Sequence, residues 1–308
     1  MKVLIIGYGS IGQRHARLLT ELGCQVGVFS RRSINYFPSF QNITQALIDW
    51  QPNYVVVASR TSEHFNDIKS LVANDFRGVV MVEKPLFDKC LEIPFNNFNQ
   101  DIVGYNLRFH PLLQKLKQIL DDKLDKSEVL MVHIYVGSYL PNWRTNRDYR
   151  VSYSAQRSQG GGVLRDLSHE LDYVFWLFGA WRRLTAIGGK FSSLEIDSED
   201  GYSILMETES CPMISIHLNY LDKIPRREIS INMNNKSIYI DLLNNIISIN
   251  GKEKKLLFMQ KDMTYRAQHQ AIVSNKNNVL CDFKQAVETL KTIEASEKAS
   301  KFCVWIKQ

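Results

Sequence analysis

The sequence lacks any apolar run near the ~18 residues that a membrane span requires. It also lacks a paired-cysteine motif, and neither sign of charge dominates. Its five cysteines, Cys24, Cys90, Cys211, Cys281 and Cys303, are odd in number and widely spaced, with no CxxC among them. That argues against a disulfide framework or a zinc ribbon and favours a reducing, cytoplasmic setting. Lysine and arginine number 38 against 32 acidic residues, a net charge of +6. The excess is dispersed rather than clustered, which argues against a nucleic-acid partner; a few anion-binding sites account for it. The opening MKVLIIG has too short an apolar stretch for a signal peptide and runs into a glycine motif with no small-residue cleavage site. It reads as a strand, so the expectation is a soluble protein with no membrane partner. Repeats and low-complexity segments are absent as well.

What is present is ordinary globular composition, 44% hydrophobic and 23% charged over 308 residues. At roughly 150 residues per domain that suggests two domains. Through about residue 121, short apolar runs alternate with helical patterns. Val3–Ile6, Val26–Phe29, Tyr54–Ala58, Val79–Val82 and Ile102–Tyr105 read as strands, the first a continuous apolar run suited to burial on both faces. Strands alternating with helices predict a parallel, doubly wound α/β sheet. After Asp121 the pattern changes. A long strand, Glu128–Val136, precedes a polar and aromatic loop over 141–159 and one helix over Gly162–Phe178. Six strand-like segments follow: Leu184–Gly188, Gly201–Glu207, Met213–Leu221, Glu228–Met233, Ser237–Asp241 and Ile246–Ile249. Asn244-Asn245 and Asn250-Gly251 supply hairpin turns, and a final helix covers Phe283–Ser300. The expectation is a Rossmann domain over 1–121 and an α+β domain with a mostly antiparallel open sheet over 122–308.

Gly7-Tyr8-Gly9-Ser10-Ile11-Gly12 matches G-x-G-x-x-G between a buried strand and a helix, the context that gives the motif weight as a dinucleotide fingerprint. Gly7 serves the tight turn, Gly9 close approach to a pyrophosphate, and Gly12 close helix–strand packing, with the helix N-terminus facing the phosphates. At the end of the second strand, NAD-binding versions usually carry an acidic residue for the ribose hydroxyl. Here Ser30-Arg31-Arg32 stands instead. Two guanidiniums and a hydroxyl suit a 2′-phosphate, so NADP is preferred over NAD; the other reading is solvated loop charges. Ser59, Arg60, Thr61, His64 and Glu83 join the cofactor-binding set.

Glu83-Lys84-Pro85 sits at the carboxyl end of the fourth strand, where open α/β sheets bind ligands. Gly160-Gly161-Gly162 leads into a helix that carries Asp166, His169 and Asp172 at i, i+3 and i+6, on one stripe. A histidine between two carboxylates can be a tuned acid or base, or it can cap a hydrogen-bond network. His169-Glu170 has no second histidine at i+4, so a zinc hydrolase is a weak reading. The loop before the glycine triplet holds Trp143, Arg144, Arg147, Tyr149, Arg150, Tyr153 and Arg157. Arginine suits anions and aromatic rings suit sugar faces; the loop is either a pocket cover for an acidic or nucleotide-linked sugar or an exposed basic subunit contact.

In this order, the glycine loop, Glu83-Lys84-Pro85, the run Gly104-Tyr105-Asn106-Leu107-Arg108-Phe109-His110-Pro111 and the glycine-triplet helix resemble the glucose–fructose oxidoreductase / inositol dehydrogenase family (Gfo/Idh/MocA). The resemblance is clear over the first two-thirds of the chain and architectural beyond. It implies a Rossmann domain followed by an α/β domain whose open sheet mediates oligomers. It implies a nicotinamide-dependent dehydrogenase or reductase of a sugar, sugar acid or nucleotide sugar. Lys84, Asp166 and His169 become the catalytic group, with Asn106 beside the cofactor and Arg108, Trp143, Arg150, Tyr153 and Asp172 toward the substrate. One departure stands: the family spaces its Asp and His as Asp-x-x-x-His, and Asp166 to His169 is one residue short. That shortening supports an alternative, a catalytically silent dinucleotide-binding sensor or scaffold. For an active enzyme, Lys84 and His169 are expected to point into one cleft. A homodimer or homotetramer is expected through the open sheet, because Met213–Leu221 reads as apolar on both faces through Met213, Ile214, Ile216, Leu218 and Leu221.

Overall fold

The computed structural model describes every residue except Ser33, Lys123, Asp125, Lys126, Thr145, Leu257, Phe258, Met259 and Asn277. The chain forms two compact units. One comprises Met1–Phe109 and Asp262–Leu290, the other His110–Lys261 and Lys291–Gln308. This differs from a single cut at Asp121. The helix after residue 110 belongs with the second unit, and a later segment returns to the first.

The first unit holds six parallel strands: β1 (Lys2–Ile6), β2 (Gln25–Phe29), β3 (Ser39–Phe40), β4 (Tyr54–Val57), β5 (Val79–Val82) and β6 (Gln100–Val103). Their order is β3-β2-β1-β4-β5-β6. The order reverses at β1, the point where doubly wound sheets leave a crevice at the strands' carboxyl ends. Val3, Leu4, Ile5, Val55, Val56 and Val57 have no exposed surface, as a sheet covered on both faces demands. Each such side chain contributes roughly 1.5–3 kcal/mol of burial. Helices α1 (Ser10–Glu21), α2 (Ile43–Trp50) and α3 (His64–Ala73) connect the strands. The Asn42 side chain caps α2 by accepting from the Gln45 N–H at 2.8 Å.

The second unit begins with α4 (Pro111–Leu120). Its sheet has nine strands. They are β7 (Val129–Gly137), β8 (Trp181–Gly189), β9 (Gly201–Thr208), β10 (Ile214–Asn219), β11 (Arg226–Met233), β12 (Ser237–Asp241), β13 (Ile246–Ile249), β14 (Lys252–Lys255) and β15 (Ile306–Lys307). Among the described residues of this sheet, only β7 and β10 pair in parallel; the other ladders are antiparallel. Alternation sets the faces. Val132, Ile134 and Val136 of β7, with Ile214, Ile216 and Leu218 of β10, are buried.

Two expectations change here. The segment Met213–Leu221 is not apolar on both faces. β10 covers only 214–219, its apolar residues share the buried face, and Ser215, His217 and Asn219 take the other. Met213 and Leu221 fall beyond the strand's ends. Gly162–Phe178 is not one helix either. It is α5 (Val163–Asp166) and α6 (His169–Phe178), broken at Leu167 and Ser168, where Leu167 leaves helical geometry at φ −99° and ψ 30°. Asp166 and His169 therefore do not share a continuous helical stripe, and their spacing is not set by a helix period.

Two further helices complete the chain: α7 (Met263–Val273) and α8 (Phe283–Phe302). α7 lies wholly within the returning segment of the first unit. No helix among the described residues is long and apolar enough to cross a membrane.

Candidate functional site

In the first unit the glycine turn does what its spacing requires. Gly7 adopts φ +91°, and a Cβ there would lie 2.6 Å from the Ser59 nitrogen. A Cβ on Gly12 would lie 2.0 Å from the Gly7 oxygen, so α1 seats on the turn only because that residue has no side chain. Gly9 differs: a Cβ there meets nothing within 4 Å. Open space thus fronts the N-terminus of α1, whose first N–H groups have no intrahelical partner. This is a cradle for an anion such as a pyrophosphate. Tyr8 and Ile11 are half-buried around it, and Ser10 is exposed.

At the end of β2, Ser30 Oγ accepts from the Arg32 N–H at 3.1 Å. Arg31 is exposed and pairs with Glu63 at 2.9 Å, a partner the sequence did not flag. A second anionic group lies beside it: Ser59 donates to Asp67, whose carboxyl is pushed up to about 6, chiefly by burial. Arg60 is exposed and Thr61 buried.

Glu83-Lys84-Pro85 follows β5, and the Lys84–Pro85 peptide is cis. Lys84 is half-buried. His64 was expected at the cofactor, but its Nδ1 lies 3.2 Å from both the Pro85 and Leu86 carbonyls. Carbonyls only accept, so Nδ1 carries the proton and the ring braces this turn. Glu83 is also turned inward: it is buried, and its carboxylate receives the His15 ring at 2.8 Å. Asn106 donates to Thr264 Oγ1 at 2.7 Å, while its Oδ1 is buried without a hydrogen-bond partner. An orphaned buried acceptor beside this sheet edge fits a bound group that donates to it. Arg108 does not reach solvent; it is 1% exposed and donates to Gln285 at 2.6 Å.

The second unit gathers a separate cluster. Gly162 adopts φ +117°, and a Cβ there would lie 2.2 Å from Glu199 Oε1. Asp166 is 6% exposed and accepts the Tyr220 hydroxyl at 2.6 Å. Tyr153 also bonds to Asp166; the carboxylate's charge first, then burial, hold its hydroxyl well above the usual phenol range. Trp143 packs edge-on against Tyr220 at 5.2 Å and donates to Ser138 at 2.8 Å. The loop therefore folds back onto Asp166 through Trp143 and Tyr153. Arg150 does not join them. It is exposed and pairs with Asp148 and Glu195. His169 opens α6 at 8% exposure and Asp172 is buried one turn later.

Sequence reasoning missed Tyr220, read only as part of a strand, and the α7 residues Thr264 and His269. It also missed His15, whose position on α1 one turn past Gly12 was the available signal.

Two models of one family match this chain: the oxidoreductase NAD-binding Rossmann fold over residues 1–93 and the GFO/IDH/MocA C-terminal domain over residues 113–239. The chain belongs to the GFO/IDH/MocA family. It is thereby an oxidoreductase-family protein with an NAD-binding Rossmann fold. An uncharacterized oxidoreductase of Synechocystis is 29% identical over 156 residues, 48% of this chain and 40% of that protein. The match thus spans about two-fifths of the relative's length. Among solved structures, the UDP-N-acetylglucosamine 3-dehydrogenase of Acidithiobacillus ferrooxidans superposes with a TM-score of 0.78 at 18% identity, covering 99% of both chains. The WlbA dehydrogenase of Bordetella pertussis, solved with NADH and UDP-GlcNAcA, has a TM-score of 0.80 at 15% identity, covering 100% of this chain and 97% of its own. A levoglucosan dehydrogenase solved with NADH has a TM-score of 0.82 at 14% identity, covering 100% and 98%. At such identities the shared property is the GFO/IDH/MocA fold.

Proposed function

We propose that this protein is a dehydrogenase or reductase that moves a hydride between a nicotinamide dinucleotide and a CH–OH carbon of a sugar, sugar acid or nucleotide sugar. The observation that carries the reading is the open space before Gly9 at the α1 N-terminus. The orphaned Asn106 Oδ1 and the kinds of substrate named for the fold neighbours support it. A bound dinucleotide would supply the hydride donor or acceptor at its nicotinamide ring. The chain's own residues do the rest. The Gly7–Gly12 turn holds the pyrophosphate. Lys84 places a cation where an alkoxide develops, and His169 takes or returns the hydroxyl proton. Asp166 orients the Tyr153 and Tyr220 hydroxyls.

The test is nicotinamide absorbance with a panel of free sugars, sugar acids and UDP-sugars, in both directions. Turnover is expected with at least one, and Lys84→Ala and His169→Ala each lower it by ~10²–10⁴-fold with dinucleotide affinity retained. Dinucleotide binding without turnover on any substrate class would sink the enzyme reading.

The dinucleotide preferred is NADP. No acidic residue stands at the end of β2, and Ser30, Arg31 and Arg32 offer a hydroxyl and two guanidiniums to a 2′-phosphate. Fluorescence titration is expected to give tighter binding of NADPH than NADH. Arg31→Ala with Arg32→Ala is expected to weaken NADPH alone, by roughly tenfold or more for a lost charge-assisted bond. Equal affinities in the intact protein contradict this assignment.

A further inference from the structure

Behind Lys84 the first unit buries a line of polar side chains that the proposed chemistry does not use. His15 Nε2 lies 2.8 Å from Glu83 Oε1. His15 Nδ1 lies 2.8 Å from His269 Nε2. His269 Nδ1 lies 3.1 Å from the Tyr54 hydroxyl. His15, His269 and Tyr54 have no exposed surface, and Glu83 has 7%. The other Glu83 oxygen accepts the Lys84 backbone N–H at 3.3 Å. The line joins four elements: α1, which fronts the open space at Gly9; β4, from Tyr54; α7, from His269; and the turn after β5 that bears Lys84.

The direction of each bond follows from what its ends can do. A carboxylate only accepts, so His15 Nε2 carries a proton. In a neutral ring Nδ1 then accepts, so His269 Nε2 carries a proton in turn. His269 Nδ1 is left to accept from the Tyr54 hydroxyl, which also lies 3.4 Å from Met81 Sδ; the imidazole nitrogen is nearer and the stronger acceptor, so it takes the proton. The result is one unbroken run of donors from Tyr54 to Glu83, with a single negative charge at its end next to Lys84. Burial drives the Glu83 carboxyl upward and the hydrogen bond from His15, with Lys84 nearby, draws it down, so that it lies below the usual range. Burial holds His269 well below the ordinary imidazole value, which keeps it neutral. The other titratable groups facing the line are Tyr265, whose ring is 5.7 Å from His15, His64, Cys24, and Arg14 with Asp262 beyond Tyr265.

We propose that His15, His269 and Tyr54 are positioning residues for Lys84, acting as a one-way hydrogen-bond relay that holds the Glu83 carboxylate against the Lys84 peptide. The inference rests on the dehydrogenase reading for its use of Lys84, but the relay itself is testable without any substrate. It gives the returning helix α7 a function: its His269 orients His15, and its Thr264 engages Asn106.

Two measurements on the full-length protein decide it. Imidazole nitrogen NMR on histidine-labelled protein reads the tautomers directly. His15 and His269 are each expected to carry a proton on Nε2 and to accept on Nδ1. An imidazolium at His15, or a proton on Nδ1 of either ring, overturns the relay. The second measurement is the pH at which Lys84 is half-modified by an amine-reactive reagent, read by peptide mass spectrometry. His15→Leu removes the donor, burial then protonates Glu83, and the ammonium of Lys84 loses its carboxylate neighbour. The half-modification pH is expected to fall by about half a unit or more. Tyr54→Phe, which keeps the packing, shifts it the same way by less. His15→Gln, whose amide reaches the place of Nε2, restores it. A half-modification pH in folded His15→Leu equal to that of the intact protein overturns the proposal. Failure of the sugar panel alongside the expected NMR and labelling results would count against the enzyme reading and leave the relay standing.

Discussion

His110 is the side chain whose burial has the clearest consequence for stability. It is 4% exposed and caps α4 by accepting the Leu112 N–H on Nδ1 at 3.2 Å. Burial pushes its ring down to about 4, opposed by the Leu242 carbonyl, with smaller effects from the Arg227 charge, which lowers it, and Asn245, which raises it. The unfolded chain takes up a proton near the ordinary histidine value of about 6.5. A folded value below the unfolded one means the unfolded state binds more protons between them. Stability is therefore fully present above about pH 6.5 and drains away as pH falls toward 4, by an upper limit of about 3 kcal/mol. His110→Asn keeps a cap of similar reach and removes the titration. Thermal melts from pH 8 to pH 4.5 (about the span of the effect) are expected to show a shallower acid decline in His110→Asn than in the intact protein. Parallel declines would mean that other groups carry the acid sensitivity. At the same scale Arg108 and Arg150 show how residue type misleads. The resemblance puts Arg108 toward the substrate and the loop composition makes Arg150 an anion grip, yet the first is buried and donates to Gln285 and the second is matched by Asp148 and Glu195.

At the scale of elements, legibility followed periodicity. The five buried strand runs of the first unit and most strands of the second were visible because continuous or alternating apolar patterns have few other uses. The glycine turn was visible because Gly7 and Gly12 each stand where a side chain is excluded, with Gly9 at the open space between them. α7 was not. Its buried positions include Gln268 and His269 with Ile272, so the face it buries is partly polar and leaves no apolar stripe to read. That is the helix which carries His269 and Thr264 to the first unit, so the parts of the site that depend on it were hidden with it. The break between α5 and α6 was hidden for another reason. The segment VLRDLSHELDYVFWLF is helical in pattern throughout, and only the backbone at Leu167 interrupts it. Asp166 was thus found by its motif, but not its contacts with Tyr153 and Tyr220. Those two hydroxyls come from a loop and a strand end, which no helical period announces.

For the whole molecule the unfinished surface is the second face of the nine-stranded sheet. It is not the apolar face that the sequence suggested. Across β8, β9, β10, β7 and β11 one row reads Ile187, Ser203, His217, Tyr135 and Glu228. The next reads Thr185, Leu205, Ser215, His133 and Ser230. Ile187 is 74% and Leu205 38% exposed among these polar neighbours. His133 and His217 lie 5.1 Å apart and are each tied to a serine, Ser215 and Ser203. A mixed face of this kind suits a second copy of itself, since an isologous contact can set hydroxyls and rings against one another while covering the aliphatic residues. A homodimer or homotetramer joined here is the expected state at micromolar concentration, by light scattering behind a sizing column. Burial and then the His133 neighbour hold His217 below the ordinary imidazole value, so it is neutral at pH 7 and gains charge only in acid. A cation on the covered face costs desolvation, so the assembly is expected to weaken as the pH falls below 6.5, the ordinary value from which His217 is lowered. Leu205→Glu places a permanent charge in the same rows and is expected to give monomers at pH 7 that melt as a folded protein. A strictly monomeric intact chain, or a Leu205→Glu variant of unchanged mass, would move the interface elsewhere.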